Sequence, residues 1–244
     1  MKDIQELNAL LTENKGKLEG FHSKGWNPLD LFGTTAKAVK TFEAQCVYSI
    51  VKYLKATEIL EVGTGLGFST LYLAQAIHEL EGRTLHSVDL LDTSIKRAQV
   101  LFQKTNNLKA LEKVKFHLGA SEQVLPSFTS NLDFALIDGS HAYKDVKSDF
   151  LKLYPKVKKG GAIALHDVQT TLGMGPGKLW AELLDKQLLE NEHFTLVQLN
   201  RSTHEIFNYH SDIVEIQRLQ SKWKQHNMSP EGTDPCTCMG ILFK

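Results

Sequence analysis

Glu58-Ile-Leu-Glu-Val-Gly-Thr-Gly-Leu-Gly-Phe-Ser-Thr70 is the stretch that decides the fold. Glu58 to Val62 is a short, mostly apolar run that reads as a buried strand. It breaks at Gly63 into a turn with glycine at positions 63, 65 and 67, and from Phe68 to His78 the pattern is helical. A strand that passes through a glycine turn into a helix presents free backbone N–H groups where a ligand can approach. One glycine would serve a tight turn; three at alternate positions point to a ligand.

Outward from this unit the same alternation repeats. Thr84–Asp89 reads as a strand and Thr93–Thr105 as a helix. Lys113–Leu118 alternates as a strand, with a short helix near Glu122–Leu125. Leu132–Ile137 is a strand, followed by a helix Tyr143–Tyr154 closed by Lys159-Gly-Gly161. Ala162–Leu165 is a strand, and Lys178–Leu189 a helix. Five successive βα units predict a parallel sheet with helices on both faces, doubly wound by right-handed crossovers. Phe194–Leu199 and His204–Tyr209, joined by Asn200–Thr203, read as an antiparallel hairpin. We therefore expect an α/β, Rossmann-like sheet of seven strands, mostly parallel, with an antiparallel last strand. Upstream lie an amphipathic helix within 1–20, a Gly- and Pro-punctuated loop at 21–35 with Trp26, and a helix within 36–55. Downstream come a helix Asp212–Trp223 and a loose tail Asn227–Gly240.

The composition excludes whole classes. At 244 residues, 42% hydrophobic and 23% charged, the chain is neither collagen-like, disordered nor a disulfide scaffold. Lys+Arg and Asp+Glu are equal at 28 each, so no global field favours nucleic acid. The start has no apolar leader, and the longest uncharged stretch, Val62–His78, is too short and polar for a membrane span. Cys46, Cys236 and Cys238 form no disulfide framework, and Cys236-Thr-Cys238 lacks the second pair a structural zinc needs. These features lead us to expect a cytoplasmic protein.

The chemistry is concentrated at the strand ends. A dinucleotide fingerprint would need glycine where Phe68 stands, which argues against a nicotinamide-dependent oxidoreductase. Glu61, beside the turn, would repel a pyrophosphate and suits a cationic or amino-bearing ligand. Asp89, closing the second strand, can accept both hydroxyls of a ribose. Two further ends read Ile137-Asp138-Gly-Ser-His141 and Leu165-His166-Asp167. In an open α/β sheet such groups converge where ligands bind. His141 suits a general base near neutral pH. Asp138 and Asp167, with His166, are candidate ligands for a divalent cation, Mg²⁺ from the oxygens or a softer ion from the imidazole.

The stretch Ile59–Thr70 resembles the first motif of class I S-adenosylmethionine-dependent methyltransferases, and the likeness runs over about residues 40 to 209. The resemblance implies that the Gly63–Gly67 turn lies along the methionine part, Asp89 holds the ribose, and Leu118-Gly-Ala-Ser121 meets the adenine. Cofactor contacts are then expected from Glu61, Gly63, Thr64, Gly65, Gly67 and Ser69. Further contacts are expected from Asp89, Leu90, Ala120, Ser121 and Asp138. Asp138-x-x-His141 with an acid after the next strand resembles macrocin- and mycinamicin-type sugar O-methyltransferases, and more widely the catechol and caffeoyl-coenzyme A type. This implies Asp138 as a Mg²⁺ ligand and His141 as the base. The sugar enzymes carry Glu-Asp, and the catechol type Asp-Asn, where this chain has His166-Asp167, so His166 departs from both patterns.

The expected function is methyl transfer from S-adenosylmethionine to a hydroxyl of a small molecule, with a possible homodimer and no nucleic-acid or membrane partner. The alternatives are transfer to nitrogen or to a macromolecule, and non-catalytic cofactor binding. One domain is expected. Residues 1–55 form a helical extension that caps the acceptor, 56–210 a cofactor-binding core, and 211–244 a C-terminal helix and tail. The loop around Trp26 and the glycine-rich stretch Val168–Lys178 are expected to set acceptor specificity.

Overall fold

The computed structural model describes residues 3–18, 39, 41–129, 131–168, 175–185, 188–189, 192–199, 206–208 and 239–244. The Trp26 loop, most of the Val168–Lys178 stretch, the hairpin turn, the helix expected at 212–223 and Cys236 and Cys238 lie outside them.

Helix α1 (Ile4–Lys17) begins at Asp3, whose side chain accepts the Gln5 N–H at 2.7 Å, as an N-cap should. Helix α2 (Thr41–Leu54) follows, then β1 (Glu58–Val62), α3 (Phe68–Glu79), β2 (Thr84–Asp89), α4 (Asp92–Lys104), α5 (Leu108–Leu111) and β3 (Val114–Leu118). The second half holds α6 (Ser121–Val124), β4 (Leu132–Ile137), α7 (Tyr143–Leu153), β5 (Val157–Leu165), α8 (Gly175–Leu184), β6 (Thr195–Leu199), β7 (Ile206–Asn208) and β8 (Gly240–Phe243).

The sheet order is β3-β2-β1-β4-β5-β8-β6-β7, with β1 to β5 paired in parallel. β6 and β7 form the expected antiparallel pair. The fold class is the expected one, but among the described residues the sheet has eight strands. The additional strand is β8, which runs antiparallel between β5 and β6. A strand there was hidden by the polar, Gly- and Pro-rich composition just before it. β5 also starts earlier than expected. Lys159-Gly-Gly161 belongs to the strand, Gly160 adopting φ +82°, rather than to a closing turn.

Alternation along each strand feeds two cores. Ile59, Phe134 and Leu136 face α1, α2 and α3, with Leu7, Val47 and Leu71. Leu60, Ala135 and Ile137 face α7 and α8, with Phe150, Leu179 and Trp180. All six residues of β4 are buried, as a central parallel strand covered on both faces requires. The N-terminal helices are fastened by one carboxylate. Glu79 on α3 accepts from Tyr48 (2.6 Å) and Lys52 (3.2 Å) of α2 and from Lys17 (3.1 Å) of α1. That anchorage holds α2 on the sheet face with Phe134 of β4 and Ala162 of β5, with Glu43 of its first turn reaching His166 just after β5.

Candidate active site

The glycine turn is dictated first by the chain itself. Gly63, Gly65 and Gly67 have φ of +98°, +54° and +82°, all in the region that favours glycine. A Cβ on Gly63 would lie 2.1 Å from the Asp138 carbonyl oxygen, and one on Gly67 2.5 Å from Ala98 Cα. Those two glycines are therefore required by packing with no ligand present, which weakens the inference from three glycines. Gly65 differs, because a Cβ there would meet nothing within 4 Å. Its backbone faces open space.

Below the turn is a buried polar network. Glu61 is fully buried and accepts from Ser69 Oγ (2.5 Å), Thr70 Oγ1 (2.6 Å) and Ser87 Oγ (2.8 Å). Thr64 Oγ1 lies 2.7 Å from Ser87 Oγ. Burial pushes the Glu61 carboxyl up to about 7, against the pull of the three hydroxyls. The side chains of Glu61, Thr64 and Ser69, expected to touch a ligand, are hydrogen-bonded within this network and brace the turn from beneath.

Asp89 closes β2 and ties the turn down. Its Oδ2 accepts the Gly65 N–H at 3.0 Å and its Oδ1 the Leu91 N–H at 2.8 Å. A carboxylate has about four acceptor sites, so capacity for two ribose hydroxyls remains. The Gly119 N–H donates to Asp89 O at 2.9 Å, which draws Ala120 and Ser121 to the same edge. Leu90 and Leu118 stand out into solvent there, 68% and 57% exposed. Leu118 is the register partner of Asp89 across β2 and β3, and Leu90 follows Asp89 in the chain.

At the ends of β4 and β5, Asp138, His141 and Asp167 come together, with one ligand atom of each within 4.8 Å of the others. His141 is exposed, and its Nε2 lies 2.7 Å from Asp167 Oδ2. With Nε2–H donated to the carboxylate, Nδ1 keeps its lone pair. Asp167 has φ +55°, a strained conformation for a residue with a Cβ. Burial alone would raise its carboxyl, but His166 and His141 hold it below the ordinary range.

His166 is placed differently from expectation. It is 6% exposed, and its ring lies between carboxylates. Nε2 is 3.1 Å from Glu43 Oε2, and Nδ1 is 3.0 Å from Asp138 Oδ1 and 3.4 Å from Asp167 Oδ2. Nδ1 makes no hydrogen bond among the described residues, and the atoms close enough to share a cation belong to Asp138, His141 and Asp167. Glu43 was missed by sequence reasoning. Its signal was a lone acid in the otherwise uncharged run Thr41–Val51.

A family model described as a methyltransferase domain matches residues 60–168. An uncharacterised protein of Sinorhizobium fredii is 27% identical over 145 residues, 55% of this chain, and the match spans 16% of that relative's length. Among solved structures, the O-methyltransferase TomG from Streptomyces achromogenes, involved in tomaymycin synthesis and solved with S-adenosylmethionine, aligns with TM-score 0.64 and 16% identity over 100% of both chains. An O-methyltransferase from Bacillus cereus, solved with S-adenosylhomocysteine, aligns with TM-score 0.57 and 15% identity over 100% of this chain and 92% of that one. At such identities the shared property is the fold. No helix among the described residues is long and apolar enough to cross a membrane.

Proposed function

With residues 60–168 as a methyltransferase domain, we propose that the chain transfers a methyl group from S-adenosylmethionine to a hydroxyl of a small molecule. One observation carries this reading. An exposed histidine, His141, is held by Asp167 at 2.7 Å on the sheet edge that also bears the open Gly65 turn and Asp89. The cofactor brings a methyl group already activated on a sulfonium. The protein's work is therefore to hold the donor, align the acceptor oxygen and remove its proton.

Gly65 and the Asp89 carboxylate suit the amino-acid and ribose ends of the donor, and Leu90 and Leu118 the adenine. His141 Nδ1 takes the acceptor proton as the oxygen–methyl bond forms and the sulfonium–methyl bond breaks. Asp167 keeps the ring in the tautomer that can do so and stabilises the imidazolium formed. Residues 1–55 serve as the acceptor cap in this reading, supported by Glu43 of α2 reaching the edge of the site.

Calorimetry and turnover test this division of labour. Asp89→Ala should weaken S-adenosylhomocysteine binding strongly and His141→Ala only slightly. His141→Ala should lower turnover by about 10²-fold or more, the scale of a lost general base. Absence of S-adenosylhomocysteine binding to the wild type would remove the donor assignment altogether.

A further inference from the structure

Three titratable side chains form a hydrogen-bonded chain across β1, β2 and β3. His86 Nε2 lies 2.8 Å from Glu58 Oε1, and His86 Nδ1 lies 2.9 Å from His117 Nε2. Nothing in the methyl-transfer reading uses them. Phe128 stands T-shaped against both imidazoles, its ring centroid 4.9 Å from that of His86 and 5.1 Å from that of His117. The partners fix the hydrogens. A carboxylate only accepts, so His86 gives its Nε2–H to Glu58. Its Nδ1 then offers a lone pair, which takes the Nε2–H of His117.

One added proton leaves this chain intact, because it can sit on His117 Nδ1. A second cannot be added, since with both rings charged an N–H would face an N–H across the 2.9 Å contact. The surrounding charges do not relieve that repulsion. Arg83 Nε is 3.5 Å from Glu58 Oε2, and Lys115 lies two positions before His117 on the same side of β3. Lys156 donates to the Phe128 carbonyl, and Glu122 of α6 is exposed. Asp133 accepts the Glu58 N–H at 3.0 Å and is paired with Lys158. Burial, with the nearby His86 and Lys115, holds the His117 imidazole below its ordinary value.

Phe128 ends a segment that starts at Gly119, whose N–H donates to Asp89 O at 2.9 Å. Within the segment, Ser121 donates to the buried Asp149 of α7, and Leu125 is buried in the core that also holds Leu60. His117 itself precedes Leu118, the register partner of Asp89. The imidazole pair and the Asp89 edge are thus the two ends of one short piece of chain. We propose that His86 and His117 are positioning residues for the nucleoside end of the donor. Through Phe128 they hold residues 119–128 against the sheet, and a second proton on the pair releases that segment, so that donor affinity falls in acid. The ligand in this proposal rests on the methyl-transfer reading above; the hold on the segment does not.

The full chain is titrated with S-adenosylhomocysteine by calorimetry at about pH 7.5 and about pH 5.5, on either side of histidine's ordinary value. Wild-type affinity should fall severalfold in acid, towards the limit of about tenfold per pH unit that one excluded proton sets. His117→Gln keeps an amide N–H for His86 Nδ1 and cannot be charged, so the ratio of its two affinities should be well below that of the wild type. Glu61 and Asp149 are unchanged in the variant, so their own titration enters both profiles alike. His117→Leu has no donor for His86 and should bind more weakly than His117→Gln at about pH 7.5. Hydrogen exchange, corrected for the intrinsic rate at each pH, reads the segment without the donor. Protection over residues 119–128 should drop in acid in the wild type and persist in His117→Gln. Parallel affinity profiles of the wild type and His117→Gln, or unchanged wild-type protection over 119–128 in acid, would overturn the proposal. If His117→Gln does not fold, His86→Gln, whose amide can bridge Glu58 and His117, takes its place with the same expectations. S-adenosylhomocysteine that binds at neither pH, beside an acid-sensitive 119–128, would remove the donor reading and leave the hold on the segment standing.

Discussion

Gly63 and Gly65 look equivalent in sequence, yet the structure gives them different work. Gly63→Ala would drive a methyl into the Asp138 carbonyl, 2.1 Å away, and should prevent stable folding. Gly65→Ala meets open space and costs only the left-handed conformation, about 1 kcal/mol. It should fold, with a small drop in melting temperature, and lose most S-adenosylhomocysteine binding by calorimetry. Glu61 allows a second check. Its carboxyl is raised on folding from 4.5 to about 7 by burial, against the pull of its hydroxyl partners. A group raised in this way gives its full stability below 4.5 and has lost it once the pH has passed about 7. Relative to Glu61→Gln, the wild type should therefore lose up to about 3 kcal/mol across that window, measured by urea unfolding. At this scale the sequence identified the residues at the turn but not their directions. Spacing shows that Thr64 and Ser69 flank a glycine, not that their hydroxyls turn inward.

Among elements, β8 is the informative case. Its first residue, Gly240, lies under Trp180 of α8, and a Cβ there would come 2.7 Å from the indole ring. Gly240→Ala should overpack that contact and destabilise by about 1–3 kcal/mol, read from thermal unfolding with a shift in tryptophan emission. Adding Trp180→Leu should recover part of the loss. The βα units of the first half were legible because each strand is an apolar run next to its own helix in sequence. β8 has only four residues and no neighbouring partner; its pairing with β5 and β6 is a property of the assembled sheet. The same holds for α2. Its apolar face announced a packed helix, whereas the meeting of Glu43 with His166, 123 positions away, could not be read from any local pattern.

For the whole molecule, what the sequence made plain was the doubly wound class and the edge at which the ionisable groups gather, because both follow from order along the chain. What it left open was which of those groups would face each other. The placement of β8 also bears on how the chain reaches this state. β1 to β5 are built from neighbouring segments, but β8 must return roughly eighty residues later to pair with β5, a closure that contact separation makes slow. Pulse-labelled hydrogen exchange during refolding should protect amides of β1 and β4 before those of Ile241 to Phe243; simultaneous protection would show that the halves condense together. Until that closure, one side of β5 presents unpaired backbone groups to solution, and an open strand edge is a template for another chain. Recovery of native protein on refolding should then fall as its concentration rises, with misassembly starting at the gap that β8 has yet to fill.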